Sequence, residues 1–398
     1  MSRGDGAGIA VTGVGAVTCH GAGADTLWRA MTEAGIRLPD RAPDPDARMD
    51  LPLIGLVPDP VPGSPPGVER AAAFAALAAD EALADAGYAP GDLADARVAV
   101  VLGSCMGEPG PNERGRGEAG GGEPGRGDGG AWRPPFRLAS GLAGRLGLFG
   151  TAHDIANACA AGAYALTVGA DLLRAGEADV VLAGGSDAYS RVALGCFNRL
   201  GAVDPERCRP FAADRAGTVF AEGAGILVLE PAGRRADAVR LEGAGWSCDA
   251  GHPTAPREDG EEIVRAMRTA LGGRYEGVGC VVPHGTGTRL NDVLESRALR
   301  RVLGAALDRV PLYSLKALLG HAGGASAALG AVAAALIVRH GLVPPNVPLK
   351  EQDPACPVPL PEAPVRLAAG ARRVLVNAYG FGGNNASLVL SSGGGGAV

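Results

Sequence analysis

Short β-branched runs alternate along this chain with longer stretches whose apolar residues recur at helical spacing. The run IAVTGV at 9–14 predicts a strand. The Ala/Leu-rich stretch 71–86 reads as a helix, and RVAVVL at 97–102 as an apolar strand stopping at Gly103-Ser104. A second helix is expected over 160–174, with Gly176 placed to take a left-handed cap. DVVLA at 179–183 reads as a buried strand with Gly184-Gly185 as the turn after it, and GAGILVLE at 223–230 closes the series. Strands alternating with helices in this way specify an α/β fold.

The second part of the chain repeats the order. GCVV at 279–282 is a strand ending at Pro283-His284-Gly285, 324–339 is a small-residue helix stopping near Gly341, and RVLVN at 373–377 and ASLVL at 386–390 are strands. GAGILVLE and GGNNASLVL show the echo best. Two related halves, 1–232 and 233–398, are the economical explanation. The stretch 325–338 is the longest apolar one, broken only by Ser326, but too short to span a bilayer comfortably, so it is expected to be a buried helix. One segment, 108–130, is dominated by Gly, Glu, Arg, Pro and Asp. It cannot bury enough surface to offset its ordering entropy and is expected to be an exposed, mobile insert without secondary structure.

Composition narrows the picture. The 398 residues suit one large or two fused domains, and 46% hydrophobic against 20% charged residues supports a substantial core. With 4% aromatic residues and 64 glycines, packing must rely on small side chains, and no aromatic platform for bases is expected. A net charge of −6 also argues against a nucleic-acid partner. The eight cysteines (19, 105, 159, 196, 208, 248, 280, 356) form no CxxC pair, so neither a disulfide scaffold nor a metal site is expected. The segment MSRGDG leading into a short apolar run is not expected to be a signal peptide. A cytoplasmic protein without membrane contact is the expectation.

Three residues stand out chemically. Cys159, in NACAAGA, lies between a strand-like DIA and a helix start, where the helix dipole and free N–H groups favour thiolate and can hold an oxyanion. The same segment also reads as an inert cysteine in an Ala-rich helix. His284 opens HGTGT at a strand end, where α/β active sites gather, or else is a loop histidine capping the next helix. His321, in KALLGHAGG, precedes the second Ala-rich helix and so holds the place in its half that Cys159 holds in the first. Two equivalent helix starts, one bearing Cys and one His, would converge across a pseudo-twofold axis. The final GFGGNN suits a backbone turn approaching a ligand closely, or a plain Gly-rich turn anchored by Phe381.

Taken in order, IAVTGVGAVT, the Cys159 motif, RPFAADRAG with EGAG, HGTGTRLND, KALLGHAGGASAALG and GFGGNN resemble the β-ketoacyl synthases of the Cys-His-His class over nearly the whole chain. That resemblance implies a thiolase-like α/β fold, in which two duplicated αβα halves form a five-layer αβαβα sandwich. It implies decarboxylative Claisen condensation of a Cys-bound acyl group with malonyl-carrier protein, in a type II polyketide or specialised fatty acid pathway. Cys159 would be the nucleophile, with the backbone N–H groups of Cys159 and Phe381 as oxyanion hole. His284 and His321 would stabilise the enolate, and Lys316 and Glu295 would organise the site. Thr286 and Thr288 would contact phosphopantetheine, and Phe381 would gate acyl entry.

No cofactor of the enzyme's own is implied, since substrates ride on the phosphopantetheine of an acyl carrier protein. The other implied partner is a second copy or a related ketosynthase or chain-length-factor subunit. Thiolases place a second Cys in the last Gly-rich turn, and 380–385 has none; acyl-CoA-primed synthases resemble Cys-His-Asn enzymes; chain-length factors lack the cysteine. A same-fold acyltransferase, a malonyl decarboxylase and a chain-length-factor-like partner stay open beside the synthase reading. The sequence departs from the family pattern at Ala160, Ala161, Pro283, Asn384 and the 108–130 insert.

Overall fold

The structure, a computed structural model, describes residues 8–59, 61, 68–110, 113, 134–235, 238–368 and 370–393. In the first half the principal elements are β1 (Ile9–Thr18), α1 (Arg70–Asp85), β2 (Val98–Gly103), α2 (Leu138–Arg145), β3 (Ala152–Ile155), α3 (Ala161–Ala175), β4 (Val180–Asp187), α4 (Arg191–Arg199) and β5 (Gly223–Pro231). The second half supplies β6 (Val239–Cys248), α5 (Glu261–Leu271), β7 (Val278–Val282), α6 (Arg289–Leu303), α7 (Ala325–His340), β8 (Arg373–Gly380) and β9 (Asn384–Ser391). Both faces of β1, β2 and β4 are covered, so these strands are buried at every position, as continuous β-branched and apolar runs require.

The two halves share a pairing scheme. In the first, β2 lies parallel between β3 and β4, then β4 pairs β5 and β5 pairs β1, both antiparallel. In the second, β7 is parallel to β8, β8 antiparallel to β9, and β9 antiparallel to β6. A short antiparallel pairing, Ile9 to Val11 with Leu241 to Val239, joins β1 to β6. Helices α1 and α2 cover the outer face of the first sheet, while α5, with α6 packed on it, covers that of the second. Between the sheets, α3 lies on β2 and β4 and α7 on β4, β5 and β8, touching each other. The result is the five-layer αβαβα arrangement.

That central position explains the composition of α7. From Ala325 to Val338 every residue is buried, because a helix between two sheets has no solvent face. The two central helices meet backbone to backbone at their starts: Gly162 N donates to Gly324 O at 3.0 Å, and a Cβ on Gly162 would lie 2.8 Å from that oxygen. This contact brings the approaches to Cys159 and His321 together.

One sequence expectation changes. Gly184-Gly185 is not a turn but the interior of β4, paired with Ile226 and Gly225. A Cβ on Gly184 would sit 2.0 Å from Gly225 O, and one on Gly185 2.7 Å from Gly103 O, so these glycines permit close backbone approach. The expected mobile insert, 108–130, lies outside the described residues apart from 108–110 and Glu113. Glu113 is docked: its carboxylate accepts from Ser190 Oγ (2.7 Å), Arg191 N (2.8 Å) and Val192 N (3.2 Å) at the start of α4.

At the opposite margin β3 is the sheet edge, half-buried, and Phe149 just before it is 93% exposed. An uncovered edge invites pairing with another chain. Light scattering is therefore expected to give a dimer, of two copies or with a related subunit; a stable, active monomer at assay concentration would refute this.

Candidate active site

Cys159 sits on an elbow. Strand β3 runs into Asn157, the chain turns through Ala158 at φ +48°, and Cys159 lies in a single 3-10 turn, Ala158–Ala160, that leads into α3. A left-handed alanine costs about 1–2 kcal/mol, held here by the surrounding packing. Gly380, at the end of β8, packs against this elbow: a Cβ there would lie 2.9 Å from Asn157 O and 3.2 Å from Cys159 N. The thiol is buried yet held well below the ordinary cysteine range, first by its neighbour Cys105, then by His321 and Lys316, against the opposing effect of burial.

His284 follows β7, and its backbone is gripped from two sides. Glu295, from α6, accepts from His284 N and Gly285 N, each at 2.8 Å, while Lys316 Nζ donates to His284 O at 2.6 Å. The same ammonium lies 3.5 Å from His284 Nδ1 and can only donate, so the ring proton belongs on Nε2. Burial raises the Glu295 carboxyl and lowers the Lys316 ammonium, while bonds from the His284 and Gly285 N–H groups favour the carboxylate. Neither lines the cavity; both reach it through His284.

His321 precedes α7, and its Nδ1 accepts from Gly323 N at 3.1 Å with Ser326 Oγ at 3.0 Å. Its ring proton is therefore also on Nε2. The two imidazoles stand edge to face at 5.7 Å, and Phe220 stacks on His321 at 5.7 Å. Cys159, His284 and His321 line one cavity of about 520 Å³ together with Thr286, Thr288 and Phe381. The two threonine hydroxyls are 2.9 Å apart. Phe381 stacks on Phe197 of α4 (5.0 Å), and Asn384 ties this turn to the nucleophile's approach, donating to Phe381 O at 2.9 Å and accepting from Asn157 Nδ2 at 3.2 Å.

Sequence reasoning passed over several supports. Asp292 accepts from Phe211 N (2.8 Å), Thr286 N (3.1 Å) and Gly287 N (3.2 Å), and Arg215 lies 3.5 Å from it. All of these residues lie in motifs that carry the family resemblance, but only the fold shows that RPFAADRAG and HGTGTRLND close on one another. Asn377 donates to Glu295 Oε1 at 3.1 Å, and Tyr379 sets its ring 5.2 Å from His284.

Burial first, then the Lys316 charge, hold His284 well below its ordinary 6.5. The unfolded histidine titrates near that value, so below it the unfolded state binds the extra proton and stability falls with pH. One such proton is worth about 1.4 kcal/mol per pH unit. Asp187, pushed up to about 6 by burial, acts with the opposite sign as pH falls from 6 towards 4. Unfolding curves between pH 7 and 5 should therefore be compared with His284→Ala. Wild type is expected to lose up to about 1.4 kcal/mol more per unit than the variant; equal slopes would mean that His284 is protonated in the fold.

The profile described as "Beta-ketoacyl synthase, N-terminal domain" matches residues 7–234, and "Beta-ketoacyl synthase, C-terminal domain" matches residues 239–350. The chain is 32% identical over 406 residues to Nodulation protein E of Rhizobium leguminosarum bv. trifolii, covering 96% of this chain and 98% of that protein. Among solved structures it is similar to the ishigamide ketosynthase/chain length factor, with a TM-score of 0.87, 34% identity, and coverage of 97% of this chain and 99% of that one. It is also similar to a chain from a type II polyketide synthase acyl-carrier protein in complex with its ketosynthase bound to the hexaketide. That match has a TM-score of 0.84, 26% identity, and coverage of 97% of this chain and 100% of the other.

Proposed function

The chain belongs to the β-ketoacyl synthase family, and on that premise we propose that Cys159, His284 and His321 carry out its decarboxylative Claisen condensation. The observation that carries the assignment is the convergence of a thiol at a helix start and two Nε2–H imidazoles on a single cavity. The Cys159 thiolate attacks the carbonyl of an acyl-carrier thioester. The backbone N–H groups of Cys159 and Phe381 hold the oxyanion, and the carrier thiolate leaves.

Malonyl-carrier protein then enters with its phosphopantetheine arm along Thr286 and Thr288, past Phe381 as gate. The bond to the carboxyl breaks, CO₂ departs, and the electron pair it leaves forms an enolate whose oxygen accepts from both Nε2–H groups. That carbanion attacks the Cys159 thioester, forming the new carbon–carbon bond and releasing the thiolate. Lys316 and Glu295 act by positioning His284. Neutral imidazoles suit the task, because they donate without surrendering a proton to the enolate.

The two related halves are taken as 1–232 and 233–398. An acyl carrier protein and a second ketosynthase-type subunit are the proposed partners, supported by the carrier-protein complex and the ketosynthase/chain length factor among the similar structures. The pathway class is type II polyketide or specialised fatty acid synthesis. The enzyme works on carrier-bound substrates without a cofactor of its own, and a cytoplasmic location goes with that chemistry. Among the described residues no helix is long and apolar enough to cross a membrane, and no group of three or more His, Cys, Asp or Glu is arranged to hold a metal.

The deciding test is incubation with acyl- and malonyl-carrier protein, analysed for a β-ketoacyl product and for acyl mass on the Cys159 peptide. Both are expected. Acyl transfer without carbon–carbon bond formation would favour a same-fold acyltransferase, CO₂ release alone a decarboxylase, and no acyl adduct a chain-length-factor-like partner.

A further inference from the structure

Asn384, one of the positions where the sequence departs from the family pattern, joins the two backbone turns that meet at the nucleophile. It opens β9 directly after the Phe381 turn, and in the ladder it pairs with Gly380, the last residue of β8. Its side chain reaches in two directions. Nδ2 donates to Phe381 O at 2.9 Å, and Oδ1 accepts from Asn157 Nδ2 at 3.2 Å. A carbonyl oxygen only accepts, so a single orientation of the amide satisfies both ends.

The donor end fixes a peptide plane. The Phe381–Gly382 peptide has its carbonyl held by Asn384 and its N–H held by Pro253 O at 2.8 Å. Gly382 stands at φ +82°, in the left-handed region that glycine enters freely, so those two bonds hold a turn whose backbone is otherwise permissive. Phe381 thus lies between the ladder position at Gly380 and the tied plane after it. The acceptor end grips the other turn. Asn157 stands two residues before Cys159, and its carbonyl accepts from Ala160 N at 3.2 Å across the 3-10 turn. Cys159 and Phe381 line the cavity, whereas Asn384 does not.

We propose that Asn384 is a positioning residue for the oxyanion hole: its amide holds the Phe381 turn against the Cys159 elbow, so that both N–H groups aim at one oxygen. The proposal rests on the reading that these two N–H groups hold the oxyanion. Asn384 then matters wherever a tetrahedral oxyanion forms at Cys159. One forms when the thiolate attacks the acyl-carrier thioester, and another when the malonyl-derived carbanion attacks the acyl-enzyme. The thiol and its proton are not its concern.

The test compares wild type with Asn384→Ala, which removes both bonds, and Asn384→Asp, which keeps the shape and the acceptor but sets an oxygen against Phe381 O. Thermal melts confirm that each is folded. Acyl loading from acyl-carrier protein, iodoacetamide alkylation of the Cys159 peptide and hydrogen exchange over residues 380–384 are measured on each. Alkylation displaces iodide and forms no oxyanion, so it reports the thiolate alone. Misplacing a donor costs less than deleting it, so the maximum rate of loading in Asn384→Ala should fall about ten- to a hundredfold, with KM near wild type. Alkylation of Asn384→Ala should be unchanged, and exchange at the turn should quicken. Asn384→Asp should load no faster than Asn384→Ala, because the donor is what both lack. Unchanged exchange, a parallel fall in alkylation of Asn384→Ala, or wild-type loading by Asn384→Asp would overturn the proposal. Quicker exchange with undiminished loading would overturn it through its premise: Asn384 would tie the turn, but Phe381 N–H would hold no oxyanion.

Discussion

Cys159→Ala is expected to abolish acyl loading and condensation while leaving malonyl decarboxylation measurable. Loading requires a sulfur that forms a thioester, and no other residue of the cavity offers a thiolate on an elbow at a helix start. Decarboxylation requires only donors aimed at the malonyl thioester oxygen, and the bonds that orient His284 and His321 come from Lys316, Glu295, Gly323 and Ser326. None of those bonds involves the thiol. Radiolabelled acyl transfer and CO₂ release from labelled malonyl-carrier protein should therefore separate in this variant. If Cys159→Ala still elongates, the nucleophile is wrongly assigned.

The histidine variants should show the converse. His284→Ala and His321→Ala should still take acyl label on Cys159, because Cys105, Lys316 and the helix start remain to favour the thiolate. Each should fail at condensation, since losing one oxyanion donor costs on the order of a hundred- to a thousand-fold. His321→Ala should also slow loading, because His321 faces the thiol directly, whereas His284→Ala should leave loading nearer wild type. Normal condensation in both variants would exclude the enolate role of the two imidazoles.

The sequence by itself determined the architecture and singled out the three candidate reactive residues. Strands β1 and β4 are buried along their whole length because both of their faces are covered, and 325–338 is almost wholly apolar because α7 lies between the sheets, so burial left a direct mark on composition. Cys159, His284 and His321 were legible because each stands where a strand ends or a helix begins, and because the halves repeat.

Glycine was less legible. Gly184-Gly185 carries the same signal as a turn, yet what it encodes is the passage of one backbone against another, which depends on partners about 40 residues further along in β5 and about 80 earlier in β2. The chain likewise contains Asp187, Cys105 and Gly324 without any local pattern joining them. Only tertiary structure decided that one carboxylate would clamp the other two, that Lys316 would orient His284 through its carbonyl, and that both histidines would present Nε2–H. The physical reason is range. Hydrophobic periodicity is written in neighbouring residues, whereas hydrogen-bond geometry and pKa depend on groups that come together only after the two halves have packed.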